Sequence, residues 1–198
     1  MMKATFALLP DIETQNMVTK LAWEIYSEHH ASLTIRCLPP HISLKQPFNV
    51  SSLDDLANYM QEFAASISEM NLTLDGYQVW DWPNAENPTS GILTIKTQET
   101  PELRALHTRL NQELTARFGN CSAPFDGDTY SFHLSIIGGG AMPSQYQTIL
   151  RNLGSKSLSA QCQIDQLAMF VYDDPNSNGE WVYTTYKIMP LGAKGGPR

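Results

Sequence analysis

The chain has 198 residues, of which 42% are hydrophobic, and a formal net charge of −7. This is enough apolar material to build a buried core, so intrinsic disorder is excluded. The acidic balance also excludes a broad basic surface that follows a nucleic-acid backbone, so any nucleotide ligand should be small or held only by its end.

The opening MMKATFALLPD has the lysine and apolar run of a signal peptide, but the run stops at Pro10 and Asp11 without a small-residue cleavage site. TFALL therefore reads as a first core strand. Residues 10–29 follow as a helix, with Met17, Leu21 and Ile25 at helical spacing. A strand over 41–48 leads to a helix within 49–67, capped by Ser51 or Ser52, that buries Leu53, Leu56, Met60 and Phe63. NLTLDGYQVW reads as a strand, DWPNAENPTSG (81–91) as an exposed loop, and GILTIKT as another strand.

The order of elements then begins again. Residues 100–118 form a helix with Pro101 in its first turn and a stripe of Leu103, Leu106, Leu110 and Leu114. The loop GNCSAPFDGD leads into the strand TYSFHLSII, and Gly138, Gly139 and Gly140 turn the chain into a helix. Those glycines lack the spacing and lysine of a phosphate-binding loop. Two strands around PNSNG close the fold before the tail GAKGGPR. The expected organisation is one domain over residues 1–191, built from two interleaved halves, and a flexible tail over 192–198. Cys37, Cys121 and Cys162 are odd in number and far apart, which points to free thiols in a reducing, cytoplasmic compartment. No apolar stretch approaches the length of a membrane span.

Each half contains one strand in which a histidine and a serine alternate with apolar residues: HISL at 41–44 and HLSI at 133–136. Alternation along a strand puts His41, Ser43 and Lys45 on one face, with Ile42 and Leu44 on the other. It does the same for His133 and Ser135 against Phe132, Leu134 and Ile136. Two-fold repetition would bring the histidines together across a cleft. Two imidazoles facing one space suit a reaction in which one takes a proton and the other gives one near neutral pH. In-line attack of water on a cyclic phosphodiester has that requirement. Ser43 and Ser135 could then donate to the non-bridging oxygens, Lys45 could offset their charge, and Phe48 or Tyr130 could stack a base.

The two motifs and the doubled architecture resemble the 2H phosphoesterase superfamily, which includes the bacterial 2′-5′ RNA ligase-like proteins and cyclic phosphodiesterases. The resemblance covers nearly the whole chain. It implies a bilobal, pseudo-twofold α+β (LigT-like) fold with an antiparallel sheet and helices in each lobe and a central cleft. By motif position it implies His41 and His133 as the catalytic pair and Ser43 and Ser135 as phosphate ligands. Many bacterial relatives carry an arginine soon after a motif, whereas here Lys45 follows the first and three glycines the second. That favours a nucleoside 2′,3′-cyclic phosphate, an ADP-ribose cyclic phosphate or a short RNA end over an extended RNA.

The expected activity is hydrolysis of such a phosphodiester by a monomer that uses no cofactor and no metal. His41 and His133 alone would leave a metal two ligands short. Two rival readings remain: a module that binds nucleotides or RNA ends without turnover, and a protein-interaction domain in which the repeated motif is coincidental. His107, within the leucine side of its helix, reads as a packed boundary histidine. Trp80 and Trp82 read as core or loop aromatics.

Overall fold

The first apolar run forms β1 (Lys3–Pro10), buried along nearly its whole length and paired on both edges. The computed structural model describes residues 2–29, 38–81, 89–139, 141–153, 158–173 and 182–192. After β1 come α1 (Ile12–His29), β2 (Ile42–Ser43), β3 (Phe48–Asn49), α2 (Leu53–Ala65) and β4 (Met70–Asp81). The second half contains β5 (Gly91–Thr97), α3 (Pro101–Phe118), β6 (His133–Gly138), α4 (Pro143–Asn152), β7 (Ser159–Asp173) and β8 (Val182–Pro190). Residues 82–88 of the expected loop, Gly140, the whole PNSNG connection, the tail from 193, His30 and Cys37 lie outside the described residues.

Local chemistry sets the helix starts. Asp11 accepts from the Thr14 amide at 2.8 Å, Ser52 from Asp55 at 3.3 Å and Thr100 from Leu103 at 3.2 Å, satisfying amides that the first turn leaves unpaired. The leucine stripe of α3 is buried as its spacing predicts, with His107 inside it. In α1 the buried line is Thr14, Val18, Ala22 and Ile25. Met17 and Leu21, expected at its centre, pack at its margin. The small Ala22 faces inward, and hydrophobic spacing alone underweights such a residue. No helix among the described residues is long and apolar enough to cross a membrane.

All eight strands join one hydrogen-bonded network. Its antiparallel pairings run from β1 to β2, β6, β5, β4 and β7, and β7 returns to β1. β3 and β8 are added at β1 and β7. The circuit has an internal twofold: β1, β2 and β4 exchange with β5, β6 and β7. Each half's first strand pairs with its own motif strand, while its long late strand pairs with the first strand of the other half. The lobes are therefore interleaved, and the motif strands β2 and β6 meet where they join.

The expected strand over 41–48 is interrupted. The Leu44 and Lys45 amides both donate to the Phe6 carbonyl, at 2.8 and 3.1 Å, so the chain swings out of register between β2 and β3. Alternation of faces ends at Ser43, with consequences for Lys45 and Phe48.

Candidate active site

Ile42 pairs with Leu134 across β2 and β6, and both are fully buried. Their neighbours His41, Ser43, His133 and Ser135 therefore point to the opposite face, where each is half-buried. Antiparallel register about that pair crosses the motifs, setting Ser43 beside His133 and His41 beside Ser135. The two histidines are diagonal neighbours, a relation that places Cα atoms about 7–8 Å apart in such a ladder. β1 extends the face with Ala7 opposite Ser43, and β5 extends it with Thr94 opposite Ser135 and Lys96 opposite His133. All four motif residues thus share one patch.

Both imidazoles are held in the same way. His41 Nδ1 lies 2.8 Å from the Pro39 carbonyl and His133 Nδ1 lies 3.0 Å from the Ser131 carbonyl, in each case two residues back along the chain. A carbonyl only accepts, so Nδ1 carries the hydrogen and Nε2 is the nitrogen that exchanges a proton. An aromatic ring braces each imidazole: Phe170 of β7 lies 4.7 Å from His41, and Trp80 of β4 lies 4.5 Å from His133, centroid to centroid. β4 and β7 exchange under the internal twofold, so the braces are equivalent. Burial pushes the pKa of His133 below its ordinary value, against the smaller opposing effect of its bond to Ser131.

A second set of contacts holds β2 from behind. The Tyr130 hydroxyl donates to the Ser43 carbonyl at 2.9 Å, and His107 Nδ1 donates to the Leu44 carbonyl at 2.8 Å. The Gly127 amide donates to His107 Nε2 at 3.1 Å, and the Tyr130 ring stacks on the His107 ring at 4.3 Å. Lys45 and Asp126 form an ion pair, and Asp126 also accepts from the Ala123 amide at 3.1 Å. The loop before β6 thereby fastens the first motif to the second half.

Three of the expected substrate contacts are corrected by this arrangement. Lys45 is 0% exposed and its ammonium is neutralised by Asp126, because the chain leaves the strand register after Ser43. Phe48 is 4% exposed and stacks on Phe6, so no face remains for a base. Tyr130 is 3% exposed and supports the backbone of Ser43 from the interior. The aromatics that do touch the motif histidines are Phe170, which sequence reasoning passed over, and Trp80, which it read as core or loop. Their alternation was visible in the sequence, but their strand partners were not.

An apolar cluster of Ala7, Leu9, Leu38, Ala168 and Phe170, with Tyr172 and Tyr183 against it, lies beside the His41 side of the patch. Two surface concavities lie elsewhere, one beside α4 and one between α2 and α3, and neither includes a motif residue. Among the described residues no three His, Cys, Asp or Glu side chains converge as metal ligands would.

Comparison with known proteins bears on the whole chain. Residues 10–176 match the family model described as the 2′-5′ RNA ligase superfamily. A Geobacillus sp. (strain WCH70) protein provisionally named a phosphoesterase is 23% identical over 196 residues, covering 98% of each chain. A Bacillus cereus (strain B4264) protein with the same kind of name is 26% identical over 191 residues, covering 94% of this chain and 97% of its own. Among solved structures, Escherichia coli LigT complexed with 3′-AMP superposes with a TM-score of 0.57 at 13% identity, covering 96% of this chain and 97% of that one.

Proposed function

Because the chain belongs to the 2′-5′ RNA ligase superfamily of 2H phosphoesterases, we propose that it hydrolyses 2′,3′-cyclic or 2′-5′ phosphodiesters at the end of a nucleotide or short RNA. The observation that carries this reading is the crossed quartet. Two imidazoles, each fixed through Nδ1, share one face with two hydroxyls. Binding alone requires neither the second histidine nor the matching orientation of both rings.

In this mechanism His133 Nε2 takes a proton from water as its oxygen forms a bond to phosphorus. The bond from phosphorus to a ribose oxygen breaks in line, and His41 Nε2 supplies the proton that the leaving oxygen gains. One water is added across one P–O bond, leaving a phosphomonoester when the substrate is cyclic. His133 suits the base role because burial keeps it neutral with a lone pair on Nε2. Ser43 and Ser135 donate to the non-bridging oxygens as charge accumulates there. Neither serine is a nucleophile, and no cofactor enters the scheme.

A small substrate fits the formal net charge of −7, and 3′-AMP in the LigT complex is a ligand of that size on a similar fold. The test is turnover of 2′,3′-cyclic nucleotides, ADP-ribose cyclic phosphate and 2′-5′-linked dinucleotides in the presence of a chelator, comparing wild type with His41→Ala and His133→Ala. The expected result is turnover that survives chelation and is lost in both folded variants. Retained activity in both would refute the mechanism. Ligand protection against heat without any product would favour a binding module instead.

A further inference from the structure

We propose that Lys96 is the cation that meets the reacting phosphate, the position that strand alternation had assigned to Lys45. This rests on the phosphoesterase reading above and adds a substrate-contacting residue to it. Ile95 pairs with Leu134 and both are fully buried on the core side. The next residue, Lys96, pairs with His133, so the two share the opposite face. Lys96, His133, Ser43 and Ala7 thus form one row across β5, β6, β2 and β1.

The internal twofold sharpens the argument. Leu8 stands opposite Ile42 as Ile95 stands opposite Leu134, so the counterpart of Lys96 is Leu9. Leu9 is 2% exposed and belongs to the apolar cluster, whereas Lys96 is exposed. The halves agree in histidine, serine and bracing aromatic, and differ here in charge. Among the described residues no carboxylate lies within ion-pair reach of Lys96. Lys45, by contrast, already has its counter-ion in Asp126.

The chemistry calls for such a charge. A cyclic phosphodiester is a monoanion, and addition of the water oxygen with loss of its proton makes the phosphorane a dianion. Two serine hydroxyls are neutral donors, whereas an ammonium offers a full charge on a flexible stem. Directly opposed side chains start about 4.5–5.5 Å apart at Cβ, so four methylenes can carry Nζ over a phosphate held at His133.

The test combines turnover of a 2′,3′-cyclic nucleotide with thermal protection by inorganic phosphate, in wild type, Lys96→Gln, Lys96→Arg and the control Lys20→Gln on the exposed side of α1. Lys96→Gln should lower kcat/KM and phosphate affinity about tenfold while leaving the unliganded melting temperature unchanged, a loss in the range of one charge-assisted contact. Lys96→Arg should restore most of both, and Lys20→Gln should match wild type. Equal phosphate affinity and equal kcat/KM in wild type and Lys96→Gln would overturn the proposal and leave the two-histidine reading standing. If wild type turns over nothing, that reading fails separately, and the phosphate titration still decides Lys96: indistinguishable curves for wild type and Lys96→Gln overturn it.

Discussion

At the scale of single residues, the site is governed by which form each imidazole adopts. His133 stands in a desolvated position against Trp80, which disfavours its cation, and Nδ1 is committed to Ser131. A base must be unprotonated, so activity should rise with pH as this group loses its proton. Since its pKa is depressed, the rise should lie below about 6.5, the ordinary imidazole value. The opposite limb should appear where His41 loses the proton it must donate. Measured as kcat/KM from pH 4.5 to 9, the profile should be a bell with its acid limb on the low side of 6.5. A profile with no acid limb would remove His133 from the base role. The residue patterns that announced these groups, HISL and HLSI, were fully legible in the sequence because a strand's two-residue period is local. The destinations of Lys45, Phe48 and Tyr130 were not legible, because they depend on contacts distant in sequence: the amides of Leu44 and Lys45 reach a carbonyl of β1 about forty residues earlier in the chain, and Tyr130 reaches the Ser43 carbonyl and the His107 ring.

At the scale of elements, β2 is a two-residue strand, too short to hold its side chains by ladder bonds alone. It is held instead by α3, through His107, and by the loop that precedes β6, through Tyr130 and the pair of Lys45 with Asp126. The first motif is therefore positioned by the second half of the chain. Removing one member of a buried ion pair leaves the other charge uncompensated, which costs far more than an exposed pair would. Asp126→Asn should lose about 3–5 kcal/mol of stability in urea unfolding. A loss under about 1 kcal/mol would show that Lys45 reaches solvent and does not depend on Asp126. The extent and the leucine stripe of helix α3 were legible, because the spacing that signals them is local, and Pro101 marked its first turn. In α1 the line of Met17, Leu21 and Ile25 was right at Ile25 and misplaced by part of a turn before it, since tertiary packing chose the face with the small Ala22.

At the scale of the whole molecule, duplication explains why two weak motifs make one site. The pairings exchange β1, β2 and β4 with β5, β6 and β7, so the motif strands lie side by side at the twofold and their side chains cross. The sequence showed the repeated order of elements and therefore the likeness of the halves. It could not show that each half completes the other's sheet, which depends on pairings between β1 and β7 and between β4 and β5. The symmetry holds for the imidazoles, hydroxyls and bracing rings, and is broken by Leu9 against Lys96. That break gives the two histidines different surroundings, which is what a division of labour between acid and base requires.

The most direct measurement of that division uses a phosphodiester whose leaving group needs no proton. Bis(4-nitrophenyl) phosphate releases a stable phenolate, so loss of the general acid should matter little with it and loss of the base should matter as much as ever. Its turnover should be recovered in His41→Ala to within about tenfold of wild type and remain abolished in His133→Ala, while both variants stay inactive on a 2′,3′-cyclic nucleotide. Recovery in both variants or in neither would contradict a mechanism in which one histidine takes the proton and the other gives it.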